Sequence, residues 1–172
     1  MNQAREQMGA VSGSITAGLV FGGQGPPPAM QTVTELYNGT CWAEVGDLNT
    51  GRYLLTGSGT TTAGLAFGGD TDPGIKALTE LYNGTCWAEV GDLNTARRQL
   101  TGFGLATASL AVGGSNPGVT AVTEQYNGTS WAEVADLATA RAALGSGKNG
   151  TTDSGIVFGG TSNTTATEEW NS

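Results

Sequence analysis

Four Gly-Gly pairs punctuate the chain at Gly22-Gly23, Gly68-Gly69, Gly113-Gly114 and Gly159-Gly160, spaced 46, 45 and 46 residues apart. A second signature recurs in phase with them: Glu35-Leu36-Tyr37-Asn38-Gly39, Glu80-Leu81-Tyr82-Asn83-Gly84, Glu124-Gln125-Tyr126-Asn127-Gly128 and a shortened Glu168-Glu169-Trp170-Asn171. Trp-Ala-Glu-Val follows at Trp42, Trp87 and Trp131, and an arginine opens each unit, at Arg5, Arg52, Arg97 and Arg141. A period near 45 residues with strand-like text inside it points to a propeller or a related array, whose units bury their faces only against one another. The 172 residues read as one domain, 1–172, with repeats over approximately 1–47, 48–92, 93–136 and 137–172.

The third unit predicts four strands. Leu100–Thr107 is small and apolar, with Gly102 and Gly104, and reads as a first strand beside a crowded axis. Ser109–Val112 is a short apolar run ending at Gly113-Gly114, and reads as a second, buried strand. The turn-rich Ser115-Asn116-Pro117-Gly118 leads to a third strand, Ala121–Tyr126. Asn127-Gly128 then predicts a tight type I′ hairpin into a fourth strand, Ser130–Val134. No stretch carries helical periodicity.

Composition narrows the function classes. A net charge of −8 with seven scattered cations argues against a nucleic-acid surface, which needs clustered Lys and Arg. Acidity also disfavours anionic membranes, and no apolar run approaches a membrane span. The N-terminal Met1-Asn2-Gln3-Ala4-Arg5 lacks the order of a secretory signal. Cys41 and Cys86 occupy equivalent positions in successive units, too far apart for a disulfide, and read as free thiols of a protein made in the cytosol.

The apolar-Phe-Gly-Gly runs (Val20-Phe21-Gly22-Gly23, Ala66-Phe67-Gly68-Gly69, Val157-Phe158-Gly159-Gly160), the later Tyr, the Trp and the opening Arg together resemble the kelch repeat. The resemblance covers nearly the whole chain and implies an all-β, four-bladed kelch-like β-propeller. One departure is the shorter interval here between Tyr and Trp, which affects the outer hairpin. The near-identical Asn-Gly-Thr-Ser/Cys-Trp-Ala-Glu-Val and Asp-Leu-Asn-Thr-Ala-Arg segments are also similar to kelch-like arrays of environmental tailed phages.

Aligned on its Glu168, the fourth unit lacks a counterpart of residues 129–136, so the last blade is expected to lack its outermost strand. The strand around Thr165, Thr167, Glu169 and Trp170 then presents an open edge, a template for pairing with another chain. Three readings stand side by side: an edge protected by its own acidic residues, an edge completed by a neighbouring chain, and a ring of eight blades closed between two chains.

Catalytic chemistry is not indicated. The chain has no histidine, the commonest general base and metal ligand, and no Cys/His cluster, nucleophile elbow or phosphate loop. The resemblance includes copper oxidases of the galactose oxidase kind, whose site uses His, and the missing histidine argues against that activity. Glu35, Glu80, Glu124 and Glu168 recur in every unit, which suits structural pairing with Arg5, Arg52, Arg97 and Arg141 better than a single active site. Trp42, Trp87 and Trp131 read as fillers between blades, with sugar stacking as the alternative. The Asn-Gly-Thr triplets at 38, 83 and 127 match a glycosylation acceptor but are explained by the hairpins. Asp70 and Asp72 alone are too few oxygens for calcium. No catalytic, cofactor-binding or metal residues are assigned.

Only the connection after each Gly-Gly varies, with 11, 10, 9 and 7 residues before the next Glu. Variation confined to one face of a repeat protein marks a candidate binding face, and drift of unconstrained loops explains the same text. The candidate partner-binding residues are Pro26, Pro27, Pro28, Asp70, Asp72, Pro73, Asn116 and Pro117. The expectation is a non-enzymatic structural or adhesion component of a virion or similar extracellular assembly, made in the cytosol. Its partners would be other assembly proteins, a copy of itself through the open edge, or a surface glycan. The alternative is a glycan- or protein-binding module acting through those loops.

Overall fold

The computed structural model describes residues 1–27, 29–147, 150–161 and 165–171. All regular structure is extended, with no helix among the described residues. In the first unit β1 (Gly9–Ser14) pairs antiparallel with β2 (Ala17–Phe21), the short hairpin β3 (Gln24–Gly25) and β4 (Ala29–Met30) intervenes, and β5 (Thr34–Tyr37) and β6 (Trp42–Glu44) complete a sheet of order β1-β2-β5-β6. The second unit repeats this plan with β7 (Thr56–Gly59), β8 (Gly64–Phe67), the hairpin β9 (Asp70–Thr71) and β10 (Gly74–Ile75), then β11 (Thr79–Tyr82) and β12 (Trp87–Glu89). The third has β13 (Thr101–Leu105), β14 (Ala108–Val112), β15 (Thr123–Tyr126) and β16 (Trp131–Glu133). Among the described residues the fourth has three strands, β17 (Gly145–Ser146), β18 (Ser154–Phe158) and β19 (Thr167–Asn171), and its sheet ends on β19.

The hairpin between the two outer strands differs from expectation. Tyr126 pairs with Trp131, so the connection holds four residues rather than two. Asn127 has no positive φ; only Gly128 does, at 95°. A type I′ turn is therefore ruled out. The Asn127 side chain supplies the turn instead, its Oδ1 accepting from the N–H groups of Thr129 at 2.9 Å and Ser130 at 3.0 Å.

Strand alternation gives each sheet a forward face toward the next unit and a rear face toward the previous one. Leu19 and Phe21 of the first sheet pack on Ala66, Tyr82 and Trp87 of the second. Leu65 and Phe67 of the second pack on Ala111, Tyr126 and Trp131 of the third. Leu110 and Val112 of the third pack on Val157 and Trp170 of the fourth. The core is thus three apolar joints between four sheets. At the first two, a phenylalanine ring meets a tryptophan at 4.9 Å (Phe21–Trp87 and Phe67–Trp131), and the Trp87 indole N–H donates to Thr34 Oγ1 at 3.0 Å.

The innermost segments run a short backbone ladder across the units. Leu54 donates to the Gln7 carbonyl at 2.9 Å, Gln99 to Leu54 at 2.9 Å, and Ala143 to Gln99 at 2.7 Å. All four residues sit in the left-handed region, with φ of 54–56°. The ladder does not return from Ala143 to Gln7, and the innermost strands β1 and β17 make no contact like that of β1 with β7 or β7 with β13. Among the described residues, no backbone hydrogen bond closes the four sheets into a ring.

Candidate functional site

Each unit holds an arginine–glutamate ion pair, buried in the first three units and part-exposed at Glu168 in the fourth. Arg52 Nη2 bonds Glu80 Oε1 at 3.0 Å, while its Nη1 bonds the carbonyls of Gly68 and Leu78 at 2.8 and 2.6 Å. Arg97 does the same with Glu124 at 2.8 Å and the carbonyls of Gly113 and Val122. Arg5 pairs with Glu35 at 2.8 Å, and Arg141 with Glu168. Burial pushes the Arg52 and Arg97 guanidiniums below the ordinary arginine value, and the Glu80 and Glu124 charges oppose that shift. The second carboxylate oxygen is also engaged: Glu80 Oε2 accepts from the Asn49 N–H and side chain at 2.7 and 2.9 Å, and Glu124 Oε2 accepts likewise from Asn94. The recurrent carboxylates therefore hold the chain segment that enters each sheet. Arginine and glutamate of one unit pair with each other.

The candidate loop residues divide. Pro26, Pro27, Asp72, Pro73, Asn116 and Pro117 are exposed, and Pro28 lies outside the described residues. Asp70 is 6% exposed and ion-paired with Arg98 of the third unit at 2.5 Å, so its carboxylate belongs to the joint between units rather than to a free loop. Adjacent loops touch, the Asp72 N–H lying 3.1 Å from the Met30 sulfur. Pairing gave no sequence signal for Asp70 and Arg98, because the corresponding pairs in the other adjacent units are Gln24 with Tyr53 and Ser115 with Ala142.

At the last sheet, Thr165 precedes β19, and Thr167 and Glu169 are exposed along it. Trp170 is turned away from solvent: it packs in the third joint and its indole N–H donates to the Thr152 carbonyl at 2.8 Å. The edge available for pairing is therefore backbone with the polar side chains of Thr167 and Glu169. Cys41 and Cys86 are exposed free thiols. Among the described residues no three potential metal ligands gather, and no helix is long and apolar enough to cross a membrane.

Two open depressions lie at the two ends of the array. One of about 470 Å³ is lined on the fourth sheet by Gly147, Gly150, Ser154, Gly155, Ile156, Glu169 and Asn171. The other, of about 450 Å³, lies on the first unit between Ala4, Arg5, Glu6, Gln24, Gly25 and Pro26. No protein-family model matches the chain, and no curated protein matches it either.

Proposed function

We propose that this chain is a non-catalytic structural or adhesion component of a larger assembly, a kelch-like propeller arc that works by joining other protein surfaces. One observation carries the reading: each end of the array exposes a surface whose counterparts are buried at the first two internal joints. Uncovered apolar surface next to an unpaired strand edge is the form of a docking site. The engagement of Glu35, Glu80 and Glu124 in buried ion pairs supports a scaffold role for the recurrent carboxylates. The kelch reading is supported by the residues that carry the resemblance, since Gly-Gly, Phe, Tyr and Trp all lie at the joints. The virion, with synthesis in the cytosol, is the assembly we favour, on the similarity of the repeats to tailed-phage arrays. The test is immunoblotting and mass spectrometry of purified particles from the producing culture. A fixed number of copies per particle supports the proposal; recovery only from the soluble cytosol overturns it.

A second reading rests on the exposed loops. Pro26, Pro27, Asp72, Pro73, Asn116 and Pro117 form a variable surface on stiff supports, suited to a glycan or a protein. A glycan array that stays blank at high protein concentration, together with an empty pull-down, overturns that reading.

A further inference from the structure

The two ends of the array are unlike each other, and they match. The forward face of the fourth sheet exposes Ile156 (38%) and Phe158 (45%), whereas their counterparts Leu19, Phe21, Leu65 and Phe67 are at 0%. The rear face of the first sheet leaves Trp42 and Tyr37 half-buried, whereas Trp87, Tyr82, Trp131 and Tyr126 are buried. Tyr37 and Trp42 already hold the geometry of the internal pairs, with ring centroids 5.2 Å apart against 5.0 Å for Tyr82–Trp87.

The backbone repeats the same story. Gly23, Gly69 and Gly114 donate to the carbonyls of Arg52, Arg97 and Arg141 in the following unit at 2.8–2.9 Å. A Cβ at Gly22, Gly68 or Gly113 would lie 2.6 Å from those carbonyl oxygens, whereas one at Gly159 would meet nothing within 4 Å. Among the described residues, no Gly-Gly pair donates to the Arg5 carbonyl, and Arg5 lines the depression on the first unit.

We propose that the fourth sheet of one copy receives the first sheet of a second copy, head to tail, making a fourth joint of the same kind. This rests on the reading of the chain as an assembly component and names its partner as a second copy of itself. Phe158 packs against the partner copy's Trp42 ring, whose indole N–H donates to Thr167, as Trp87 donates to Thr34 and Trp131 to Thr79 within the chain. The Gly159-Gly160 turn closes on the Arg5 carbonyl across the interface. Such a joint is heterologous, so it yields a closed ring where the rotation allows and an open series where it does not. One position departs from the internal pattern. Gly57 and Gly102 lie under the rings of Phe21 and Phe67, at 2.5 and 2.3 Å from a built Cβ, but the first sheet has Ala10 there. Phe158 therefore seats less deeply than its counterparts, and Ala10→Gly should tighten the joint.

The test is sedimentation velocity of the purified chain across a wide concentration series, with Phe158→Glu, Trp42→Glu and Ala10→Gly. Neither Phe158 nor Trp42 belongs to an internal apolar cluster, so circular dichroism and melting should confirm that the variants fold. We expect self-association of the unmodified chain, as a dimer for a two-copy ring or as a ladder for an open series. Each glutamate variant should weaken it about thirtyfold or more, the effect of losing an interface aromatic. Mixed together, the two glutamate variants should pair one to one, because each keeps one sound face. A chain that stays monomeric throughout, glutamate variants that assemble like the parent, or a mixture that fails to pair overturns the joint. Presence in particles combined with a monomeric pure chain would reject the joint alone and leave the assembly role standing.

Discussion

The Trp87 indole N–H donates to Thr34 Oγ1 at 3.0 Å across the joint between the first and second sheets, and Trp131 repeats the bond to Thr79 at 3.1 Å. Both bonds are buried and connect residues more than fifty positions apart. They fix where one sheet rests on the next, which apolar packing alone leaves free to slide. Thr34→Val keeps the shape but strands a buried N–H, so it should cost about 1–3 kcal/mol. Thr123 is the corresponding residue of the third sheet, and Trp170 of the fourth donates its indole N–H to the Thr152 carbonyl instead. Thr123→Val should therefore cost less than about 1 kcal/mol. Urea unfolding of the two variants decides the matter, and equal losses would remove the bond from the account.

The buried ion pairs invite a double-mutant cycle. Arg97 and Glu124 are both fully buried, and each also binds backbone groups of its own unit. Removing one partner leaves an uncompensated charge, so Arg97→Met or Glu124→Leu should each cost about 3–5 kcal/mol. The double variant Arg97→Met/Glu124→Leu should lose clearly less than the two single losses added together, because neither charge is then stranded. Denaturant unfolding of the four proteins reads the coupling. Strict additivity would show that the two side chains act independently.

The architecture was legible because it is written several times. Arg5, Arg52, Arg97 and Arg141 stand 30, 28, 27 and 27 residues before Glu35, Glu80, Glu124 and Glu168, so repetition itself marked the pairing. The three-stranded last sheet was legible in the same way, as a unit with no Trp-Ala-Glu-Val. What occurs once was silent: Asp70 and Arg98 bridge two units, yet the equivalent positions hold Gln24, Ser115, Glu6 and Tyr53. Turn type was misread because Asn127-Gly128 favours a two-residue turn locally, while the Asn127 side chain caps a four-residue one. Closure was beyond reach for a further reason. Each unit's text addresses only its neighbour, so it is the same in an open array and a complete ring.

Close approach at the outer hairpins explains one sequence difference and makes it testable. A Cβ at Gly46 would lie 2.1 Å from the Thr85 carbonyl oxygen, and one at Gly91 would lie 2.2 Å from that of Thr129. Ala135 occupies the same place in the third unit, where the fourth sheet has no outer strand to meet. Gly46→Ala should therefore force the second outer hairpin outward and cost about 1–3 kcal/mol. Ala135→Gly should change stability by less than about 1 kcal/mol, mostly through chain entropy. Thermal melts of both variants check the contrast, and a harmless Gly46→Ala would mean that the joint yields at its rim.

The joints should also fail in alkali for a stated reason. Burial raises the Tyr82 and Tyr126 phenols above their ordinary value of 10.0. The unfolded chain releases those protons first, near the ordinary value, while the folded chain still holds them. The native state then binds more protons than the unfolded one, so stability falls as pH rises. This contribution is complete below the unfolded value and is lost as pH climbs through the raised folded values. The Tyr126 hydroxyl has no hydrogen-bond partner among the described residues, so Tyr126→Phe should leave stability at neutral pH within about 1 kcal/mol of the parent. Tyr82→Phe/Tyr126→Phe should then retain more of its stability above that value than the parent does. Denaturant unfolding at neutral and alkaline pH measures both limbs. Parallel losses in parent and double variant would place the alkaline sensitivity elsewhere than in the joint tyrosines.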